Sequence, residues 1–361
     1  MNDAAWDRRK LAAAARAQLS AVQLMALAGP GAPGAGHPES SSLTTLALSR
    51  FLQPDESAVD ADLRWLDASG AQLLSATDPR YPALLRESPD APGVLYVLGD
   101  PQALSEPQIA MVGSRGPTAG GRDTARSFAA WFASAGITVT SGLALGIDAA
   151  CHEGALQAGG LTVAVLGCGL DTCYPRQNGP LFEKIRRSGA LVSEFPPGTK
   201  ALAAHFPQRN RIIAGLAHGT LVVEAASQSG SLITARLAGA AGREVFAIPS
   251  SIHNPVARGC HELIRQGAKL VEKPEDVLVD LKISLSSQIL AAPPSGTGEA
   301  PVLDKAYKIL LDALAFEPAS VDTLIERTGL NSESIASMLL VLELDGHVAP
   351  HPGGRYSRMA N

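Results

Sequence analysis

The sequence predicts an α/β protein in which a doubly wound, mainly parallel sheet is flanked by an N-terminal helical domain and a C-terminal winged helix. The chain has 361 residues, which is too long for one ordinary compact core. From Ile109 onward, short apolar runs rich in β-branched residues alternate with helical patterns. The 35 Gly and 25 Pro, with only 4% aromatic residues, are typical of tight turns between strands and helices.

The N-terminal segment contains two helical patterns around a stretch rich in Gly, Pro and Ser, Gly29 to Ser42, and predicts a small helical domain with a long loop. Its first apolar run is broken by Arg16, Gln18 and Gln23, which is wrong for a signal peptide. Ser127 to Ile147 lacks charge, but its glycines indicate helix, strand and turn rather than a membrane span. We therefore expect a cytoplasmic protein with no membrane partner.

Six strands are predicted in the central domain, with helical patterns between nearly all of them. Parallel strands need a helix-length connection, so this alternation indicates a parallel sheet covered by helices on both faces. The predicted strands are Ile109–Gly113, Ile137–Ser141, Leu161–Leu166, Leu191–Phe195, Thr220–Val223 and Val245–Ile248.

The C-terminal segment follows a Ser-, Pro- and Gly-rich linker and has the pattern of three helices and a hairpin. The second predicted helix ends at Gly329, the third begins near Asn331 or Ser332, and Pro352 to Gly354 form the turn. This layout predicts a winged helix. The predicted domains are a helical domain over residues 1–75, a Rossmann-like domain over 76–282, a linker over 283–301 and a winged helix over 302–361.

The net charge of −5 means that a polyanionic partner would need a local basic site, because the average field of the protein repels phosphate. Residues 76–284 carry 19 Lys and Arg against 18 Asp and Glu, whereas residues 302–361 carry 5 against 8. The central domain is therefore the better candidate for binding a polyanion.

The first candidate site is the turn after the first strand of the central domain, which begins with Gly113, Ser114 and Arg115. Such a turn lies at the carboxyl edge of the sheet, where backbone N–H groups and a helix N-terminus approach a phosphate. Its glycine spacing differs from the dinucleotide fingerprint, and Thr140 and Ser141 stand where an acidic residue would meet a ribose. The alternative is that these glycines only form tight turns, but Arg115 favours an anion site.

The second candidate site contains Phe206, Arg209, Asn210 and Arg211 at the start of a predicted helix. Two guanidinium groups, an amide and an aromatic ring can bind phosphates, a base or sugar, and one base face, and this set suits unstacked single strands. The alternative places Phe206 in the core and pairs the arginines with glutamates.

The third candidate site is Ser229, Gly230 and Ser231, where a strand end leads into a helix. Small hydroxyl side chains and free N–H groups form an anion-binding nest, although the same residues also make an ordinary helix cap.

No catalytic residue, metal site or cofactor is predicted. The four cysteines form no CxxC pair and are expected to be reduced, buried thiols. Asp148 and His152 are four residues apart on a predicted helix, but no third metal ligand accompanies them, and a surface or capping pair is the more common explanation.

Taken together, these segments resemble the DNA processing protein A family, also called Smf, over roughly residues 76 to 275. Six motifs match the family pattern in order. They are Val112–Arg115, Ser141–Asp148, Gly169–Asp171 with Tyr174 and Pro175, Ser193–Gly198, Phe206–Gly215 and Ser229–Thr234.

The resemblance implies an extended Rossmann domain that dimerises, binds single-stranded DNA without cleaving it, and helps to load RecA recombinase on incoming DNA, and protect that DNA, during natural transformation and recombination. By motif it places Arg115, Phe206, Arg209, Asn210 and Arg211 at the DNA site. A lysine that often precedes the Phe in the family is absent here, and Lys200 is the candidate replacement. The N-terminal segment resembles the family's sterile-alpha-motif-like domain.

The predicted third helix of the winged helix has Asn, Ser and Glu side chains but no Lys or Arg. Reading DNA sequence requires cationic or amide groups aimed at bases and phosphates, so we expect this helix to contact protein more than DNA.

Two other functions remain open at this point. A nucleotide-cleaving enzyme of the phosphoribohydrolase type shares a similar fold, but its Pro-Gly-Gly-x-Gly-Thr-x-x-Glu loop is absent, since Glu224 precedes the Ser-Gly-Ser turn. A transcription regulator that uses the winged helix would lose DNA binding when residues 302–361 are deleted.

Overall fold

The computed structural model describes residues 6–28, 45–281, 305–314 and 318–359, which form two compact units. The Gly- and Pro-rich stretch near residues 29–44 and the predicted linker lie outside the described residues.

The first unit contains a nine-stranded sheet with helices on both faces, and its strand order is β1-β2-β6-β5-β4-β3-β7-β8-β9. The strands are β1 Gln72–Ser75, β2 Val94–Gly99, β3 Gln108–Val112, β4 Thr138–Ser141, β5 Thr162–Val165, β6 Ala190–Ser193, β7 Gly219–Val222, β8 Glu244–Ala247 and β9 Lys269–Leu270. The helices are α1 Arg8–Arg16, α2 Ala21–Ala28, α3 Thr45–Leu52, α4 Glu56–Ser69, α5 Ala83–Arg86, α6 Ala119–Ser134, α7 Ile147–Gln157, α8 Gly179–Ser188, α9 His205–Leu216, α10 Ser231–Ala240, α11 Arg258–Arg265 and α12 Pro274–Leu281.

The seven strands from β6 to β9 in this order run parallel, whereas β1 and β2 are antiparallel additions at one edge. The chain moves from β3 to β6 on one side and from β7 to β9 on the other, so the direction of winding reverses between β3 and β7. Ligands of doubly wound sheets bind outside the carboxyl ends of the strands at this switch point. The predicted doubly wound, mainly parallel sheet is confirmed.

The six predicted strands are all present within one or two residues of their predicted bounds. Each of the parallel strands β3 to β7 is buried along its whole length, which explains its continuous apolar sequence. β1, β2 and β9 were not predicted.

The N-terminal helices share one hydrophobic core with the sheet: Leu11, Leu24 and Leu66 belong to the same cluster as Tyr96 of β2. The Arg16 guanidinium donates two hydrogen bonds, of 2.7 and 2.6 Å, to the buried Asp62 carboxylate. The boundary predicted between residues 75 and 76 falls between the paired strands β1 and β2, inside this unit.

The second unit is a winged helix with three helices and a three-stranded sheet of order β10-β12-β11. Its third helix begins at the predicted cap, where the Asn331 side chain accepts a 2.8 Å hydrogen bond from the Ser334 N–H. Gly329 ends the second helix in the left-handed conformation, with φ of 68°. The elements are α13 Lys305–Leu314, β10 Ala319–Ser320, α14 Val321–Thr328, α15 Ser332–Leu344, β11 Val348–His351 and β12 Arg355–Arg358.

Helix α15 buries Ile335, Leu339 and Leu342 and leaves Leu340 and Leu344 exposed to solvent. It contains no Lys or Arg. A role in protein contacts, as expected from its sequence, stays a prediction.

Candidate functional site

A cavity of about 750 Å³ opens at the switch point, where the turns after β3 and β7 meet the first half of α9. We call it the switch-point cavity. Nine of the eleven residues predicted as site residues line it: Gly113, Ser114, Arg115, Phe206, Arg209, Asn210, Ser229, Gly230 and Ser231. The three candidate sites of the sequence are thus parts of one site, because each follows a strand or begins a helix at the same edge of the sheet.

Three side chains form a stack at the mouth of the cavity. The Arg115 guanidinium carbon lies 5.5 Å from the centre of the Phe206 ring, within the range of a cation–π contact. The Tyr174 ring lies 5.5 Å from the Phe206 ring at an angle of 35° and is 46% exposed. The exposed Tyr174 ring can hold a flat ring while the solvent-facing Arg115 guanidinium holds a phosphate.

Two kinds of glycine surround the cavity. Gly113 and Gly146 are required by the fold, since a Cβ at Gly113 would clash with Ile147, and Gly146 has a φ of 83° and would place a Cβ against the Ser114 carbonyl. Gly116 and Gly230 have neither a positive φ nor any atom within 4 Å of the point where a Cβ would lie, yet both line the cavity. A backbone without side chains at these two positions leaves room for a ligand to approach closely.

The Arg209 side chain forms the floor of the cavity and is only 4% exposed. Its Nη1 donates hydrogen bonds to the carbonyl oxygens of Gly142, at 2.7 Å, and of Val165. Gly142 is required because a Cβ there would overlap this guanidinium. Arg209 therefore joins α9 to the loop after β4 and to the last residue of β5.

Burial lowers the pKa of Arg209 to about 10, so the group stays protonated at neutral pH. It is a fixed positive charge beneath the cavity, and it attracts anions without needing to touch them.

Asp148, at the start of α7, is buried and accepts hydrogen bonds from backbone N–H groups of the loop after β4. Its carboxylate accepts hydrogen bonds from the N–H groups of Gly142, at 3.2 Å, and Ala144, at 3.4 Å. Burial raises the pKa of Asp148, while the positive charge of Arg209 and these amides oppose the rise. Asn178 completes the network by donating a 2.9 Å hydrogen bond to the Leu143 carbonyl, and Leu143 has a left-handed backbone with φ of 57°.

The turn after β7 approaches α9 on the other side of the cavity. The Ser229 and Ser231 hydroxyl oxygens are 2.7 Å apart, and the Asn210 amide donates to the Gly230 carbonyl at 3.4 Å. Gly230, the residue before α10, has no side chain to cap the helix. The Ser229 hydroxyl oxygen accepts a 3.3 Å hydrogen bond from the Ser231 N–H, which is the contact that an ordinary Ser cap makes.

Arg211 does not line the switch-point cavity. It lies on the opposite side of α9 in a second cavity of about 460 Å³, where its Nη2 lies 2.5 Å from a carboxylate oxygen of the buried Glu194. The predicted site residues therefore divide between two cavities. Lys200 is exposed and immediately precedes Ala201, which lines the switch-point cavity.

Tyr174 was part of a recognised motif but was not predicted as a site residue. It lies in the loop after β5, and no periodic pattern links it to Phe206 on α9. The only signal in the sequence is an aromatic residue in a loop that follows a strand at the carboxyl edge.

The carboxylates and histidines near the cavity have structural partners. His152 is fully buried and its Nδ1 lies 2.7 Å from the Thr162 hydroxyl. Glu224 is 4% exposed, and its carboxylate occupies the space where a Cβ at Gly121 would lie. Across the described residues, no three His, Cys, Asp or Glu side chains are grouped so as to hold a metal ion.

Of the four cysteines, Cys151, Cys168 and Cys260 are buried as expected, and Cys173 is half-buried; all four are free thiols. Within the part of the chain that the structure describes, no helix has the length and apolar character needed to cross a membrane.

Two family models match this chain. The model of DNA recombination-mediator protein A matches residues 72–282, and that of the DprA winged helix domain matches residues 292–354. Protein Smf of Escherichia coli (strain K12) is 43% identical over 319 residues, which are 88% of this chain and 85% of that protein. DNA processing protein DprA of Streptococcus pneumoniae is 41% identical over 235 residues, which are 65% of this chain and 81% of that protein.

Two solved structures are similar to this fold. The X-ray structure of DNA processing protein A from Streptococcus pneumoniae has a TM-score of 0.67 and 35% identity, and covers 77% of this chain and 99% of that one. A structure of DNA processing protein A from Helicobacter pylori, concerned with its single-stranded DNA binding mode, has a TM-score of 0.53 and 27% identity, and covers 59% of this chain and 95% of that one.

Proposed function

The chain belongs to the DNA recombination-mediator protein A family, and we propose on this basis that its switch-point cavity binds single-stranded DNA without cleaving it. The observation that carries the proposal is the stack of Arg115, Phe206 and Tyr174 above the buried charge of Arg209. Unpaired bases present the faces that such rings stack on, whereas the bases of a duplex are already stacked on one another. The Helicobacter pylori relative is described as a single-strand binder.

The DNA-contacting residues in this proposal are those that line the cavity and face outward. Arg115 supplies an exposed guanidinium, and the open backbone at Gly116 and Gly230 admits phosphates. Arg209 acts as a positioning residue and as a fixed positive charge. Lys200 is exposed and immediately precedes Ala201, a lining residue of the cavity.

Filter binding of an oligothymidylate and of a duplex of equal length, measured across a salt series, tests this function. We expect preference for the single strand and a fall in its affinity for Arg115→Ala. The slope of log affinity against log salt should flatten by about 0.7, because one phosphate contact is lost. Arg50→Ala, which removes an exposed arginine of α3, is the matched control and should leave affinity and slope unchanged.

In the same experiment, Arg211→Ala distinguishes the expectation from the sequence pattern from the expectation from the structure. The sequence alone predicts that this change acts like Arg115→Ala. The structure leads us to expect an unchanged salt slope and a less stable protein, because Arg211 pairs with Glu194 in the second cavity. Equal binding by wild type and Arg115→Ala, or equal affinity for both kinds of DNA, would contradict the proposal.

The chain assists RecA recombinase in loading on incoming single-stranded DNA during natural transformation, and protects that DNA, in the cytoplasm. The support is family membership, since the matching model describes a recombination mediator. RecA filament formation on a pre-coated oligonucleotide, followed with and without this protein, measures the activity directly. Equal rates in both cases would count against it.

The active form is a homodimer that pairs through the β9 end of the sheet. Three large apolar side chains in this part of the unit are exposed: Ile252 by 77%, Leu270 by 49% and Val279 by 77%. β9 is an edge strand of only two residues, and its far side has no strand neighbour among the residues that the structure describes. Apolar groups at an open sheet edge are typical of a protein–protein interface.

Leu270→Arg is therefore expected to convert the dimer to a monomer, because it would place two like charges opposite each other across a twofold axis. Sedimentation equilibrium of the variant and of Leu46→Arg, a similarly exposed leucine on α3, measures the change. A wild-type monomer at micromolar concentration, or a dimeric Leu270→Arg, would exclude this interface.

A further inference from the structure

Helix α8 carries a basic surface that starts at the switch-point cavity. Tyr174 lines the cavity, and the chain continues from it through the 3-10 turn Arg176–Asn178 directly into α8. The exposed side chains of Arg176, Lys184 and Arg187 follow along this stretch. Because α8 connects β5 to β6, it runs from the carboxyl edge of the sheet towards the opposite edge.

The helix geometry keeps the cations of α8 on the solvent side. Leu181, Phe182 and Ile185 are buried against the sheet, while Lys184 and Arg187 are three residues apart and share the outer face. The acidic residue of this helix, Glu183, lies 3.7 Å from Arg186, so its charge is balanced within the helix. Arg176, Lys184 and Arg187 form no ion pair with any residue that the structure describes.

A second cluster of exposed basic residues, on α1, differs from that on α8 because its charges are paired with carboxylates of the fold. Arg8 and Arg9 on α1 are also exposed, but they pair with carboxylates of α4, namely Asp67, Glu56 and Asp60. The charges of Arg8 and Arg9 are therefore neutralised by ion pairs within the domain. Lys184 and Arg187 of α8 have no such partner among the described residues, in a protein with a net charge of −5, and this is the arrangement expected where an anionic polymer binds.

We propose that the segment from Arg176 to Arg187 is a track that holds the sugar–phosphate backbone of the DNA strand as it leaves the switch-point cavity. The inference rests on the proposed function and adds the direction in which the strand runs over the protein surface. One 3-10 turn and nine helical residues span about 18 Å, which is room for up to about five phosphates. Lys and Arg contacts to phosphates position a strand without reading its sequence, so the track is sequence-independent.

The experiment compares a hexathymidylate, which is long enough for the cavity alone, with an oligothymidylate of about thirty nucleotides. The variant is the full chain with Lys184→Gln and Arg187→Gln. Its control is Lys10→Gln with Arg64→Gln, which also removes one exposed Lys and one exposed Arg, from α1 and α4. Dissociation constants are measured by fluorescence anisotropy across a salt series.

For the longer strand, we expect the α8 variant to bind about tenfold more weakly and its salt slope to flatten by about 1.4, since two phosphate contacts are lost. Binding of the hexathymidylate should be unchanged in both variants, and the control should match wild type for both lengths. Unchanged binding of the longer strand, or equal weakening for both lengths, would overturn the track. A wild-type protein that binds neither strand would instead refute the proposed function.

Discussion

Arg209→Met is expected to lower the free energy of unfolding by about 3–5 kcal/mol, with a fall of roughly 10 °C in Tm, and to abolish binding of single-stranded DNA. Methionine retains much of the side-chain length but none of the donors. The buried carbonyl groups of Gly142 and Val165 would lose the guanidinium that they share.

The size of this effect follows from the network behind the cavity. Asp148 is also buried, and Arg209 is the positive charge that opposes the rise of its pKa. Without that charge the pKa of Asp148 would rise further, and a larger protonated fraction would weaken its hydrogen bonds with the N–H groups of Gly142 and Ala144. The left-handed turn at Leu143 would then lose two of the contacts that fix the loop after β4.

Thermal unfolding of Arg209→Met beside Arg115→Met measures the difference between a positioning residue and a contact residue. Arg115 is exposed and its guanidinium lies against the Phe206 ring, so its loss should change Tm by no more than about 2 °C while still weakening DNA binding. If Arg209→Met is as stable as wild type and binds DNA normally, Arg209 neither stabilises the fold nor supports DNA binding.

The division of α9 between two cavities could have been read from the sequence. Residues three and four apart share a helix face, so Phe206, Arg209, Asn210 and Ile213 belong together, and all four line the switch-point cavity. Arg211 is two residues from Arg209, which places it about 200° around the helix. The two arginines are close in the chain but line different cavities, and the role of Arg211 in DNA binding stays a prediction.

The strands of the sheet were predictable where they are buried on both faces and separated by helices, as in β3 to β7. β2 was missed even though Val94 to Gly99 is a clear apolar run, because it pairs antiparallel and belongs to no strand–helix–strand unit. β9 has only two residues, which is too short to leave a periodic pattern.

The contact of Tyr174 with Phe206 depends on a loop path that local patterns do not encode. The loops after β5 and β6 are fastened to each other, since the Gly198 N–H donates a 3.0 Å hydrogen bond to Asp171 and the Gly169 N–H donates one of 3.0 Å to the Thr199 carbonyl. Long-range hydrogen bonds of this kind decide where an aromatic residue in a loop comes to lie. The sequence can indicate the edge of the sheet at which the site forms, but not all of its members.

His152 is expected to make the protein sensitive to mild acid. The Thr162 hydroxyl donates to the Val139 carbonyl at 2.6 Å, so it accepts from Nδ1 of His152, and the other ring nitrogen is the unprotonated one. That nitrogen, Nε2, is buried and has no hydrogen-bond partner among the described residues. A proton there would create an unpaired charge inside the domain, and burial lowers the pKa of His152 to about 3, with the charge of Arg209 contributing in the same direction.

The unfolded chain takes up this proton near the ordinary histidine pKa of about 6.5, and the folded protein does not take it up until about pH 3. The stability that His152 contributes is therefore fully present above pH 6.5 and is lost as the pH falls towards 3, by about 1.4 kcal/mol per pH unit. His152→Asn keeps an amide donor towards Thr162 but cannot be protonated, so the variant should lose this part of the pH dependence. Between pH 6.5 and 4.5 the stability of wild type should fall by about 2–3 kcal/mol more than that of the variant.

Denaturant unfolding of the two proteins across this pH range measures the difference directly. The matched control is His253→Asn, which changes a histidine that is exposed to solvent and should leave the pH dependence of wild type intact. The comparison also separates the effect of His152 from that of Asp148. The pKa of Asp148 is raised in the folded protein, so uptake of its proton stabilises the fold as the pH falls, which is opposite to the effect of His152. If the free energy of unfolding of wild type and of His152→Asn depends on pH in the same way, this prediction is wrong. The folded protein would then take up a proton on His152 as readily as the unfolded chain does, despite the absence of a partner for Nε2 among the described residues.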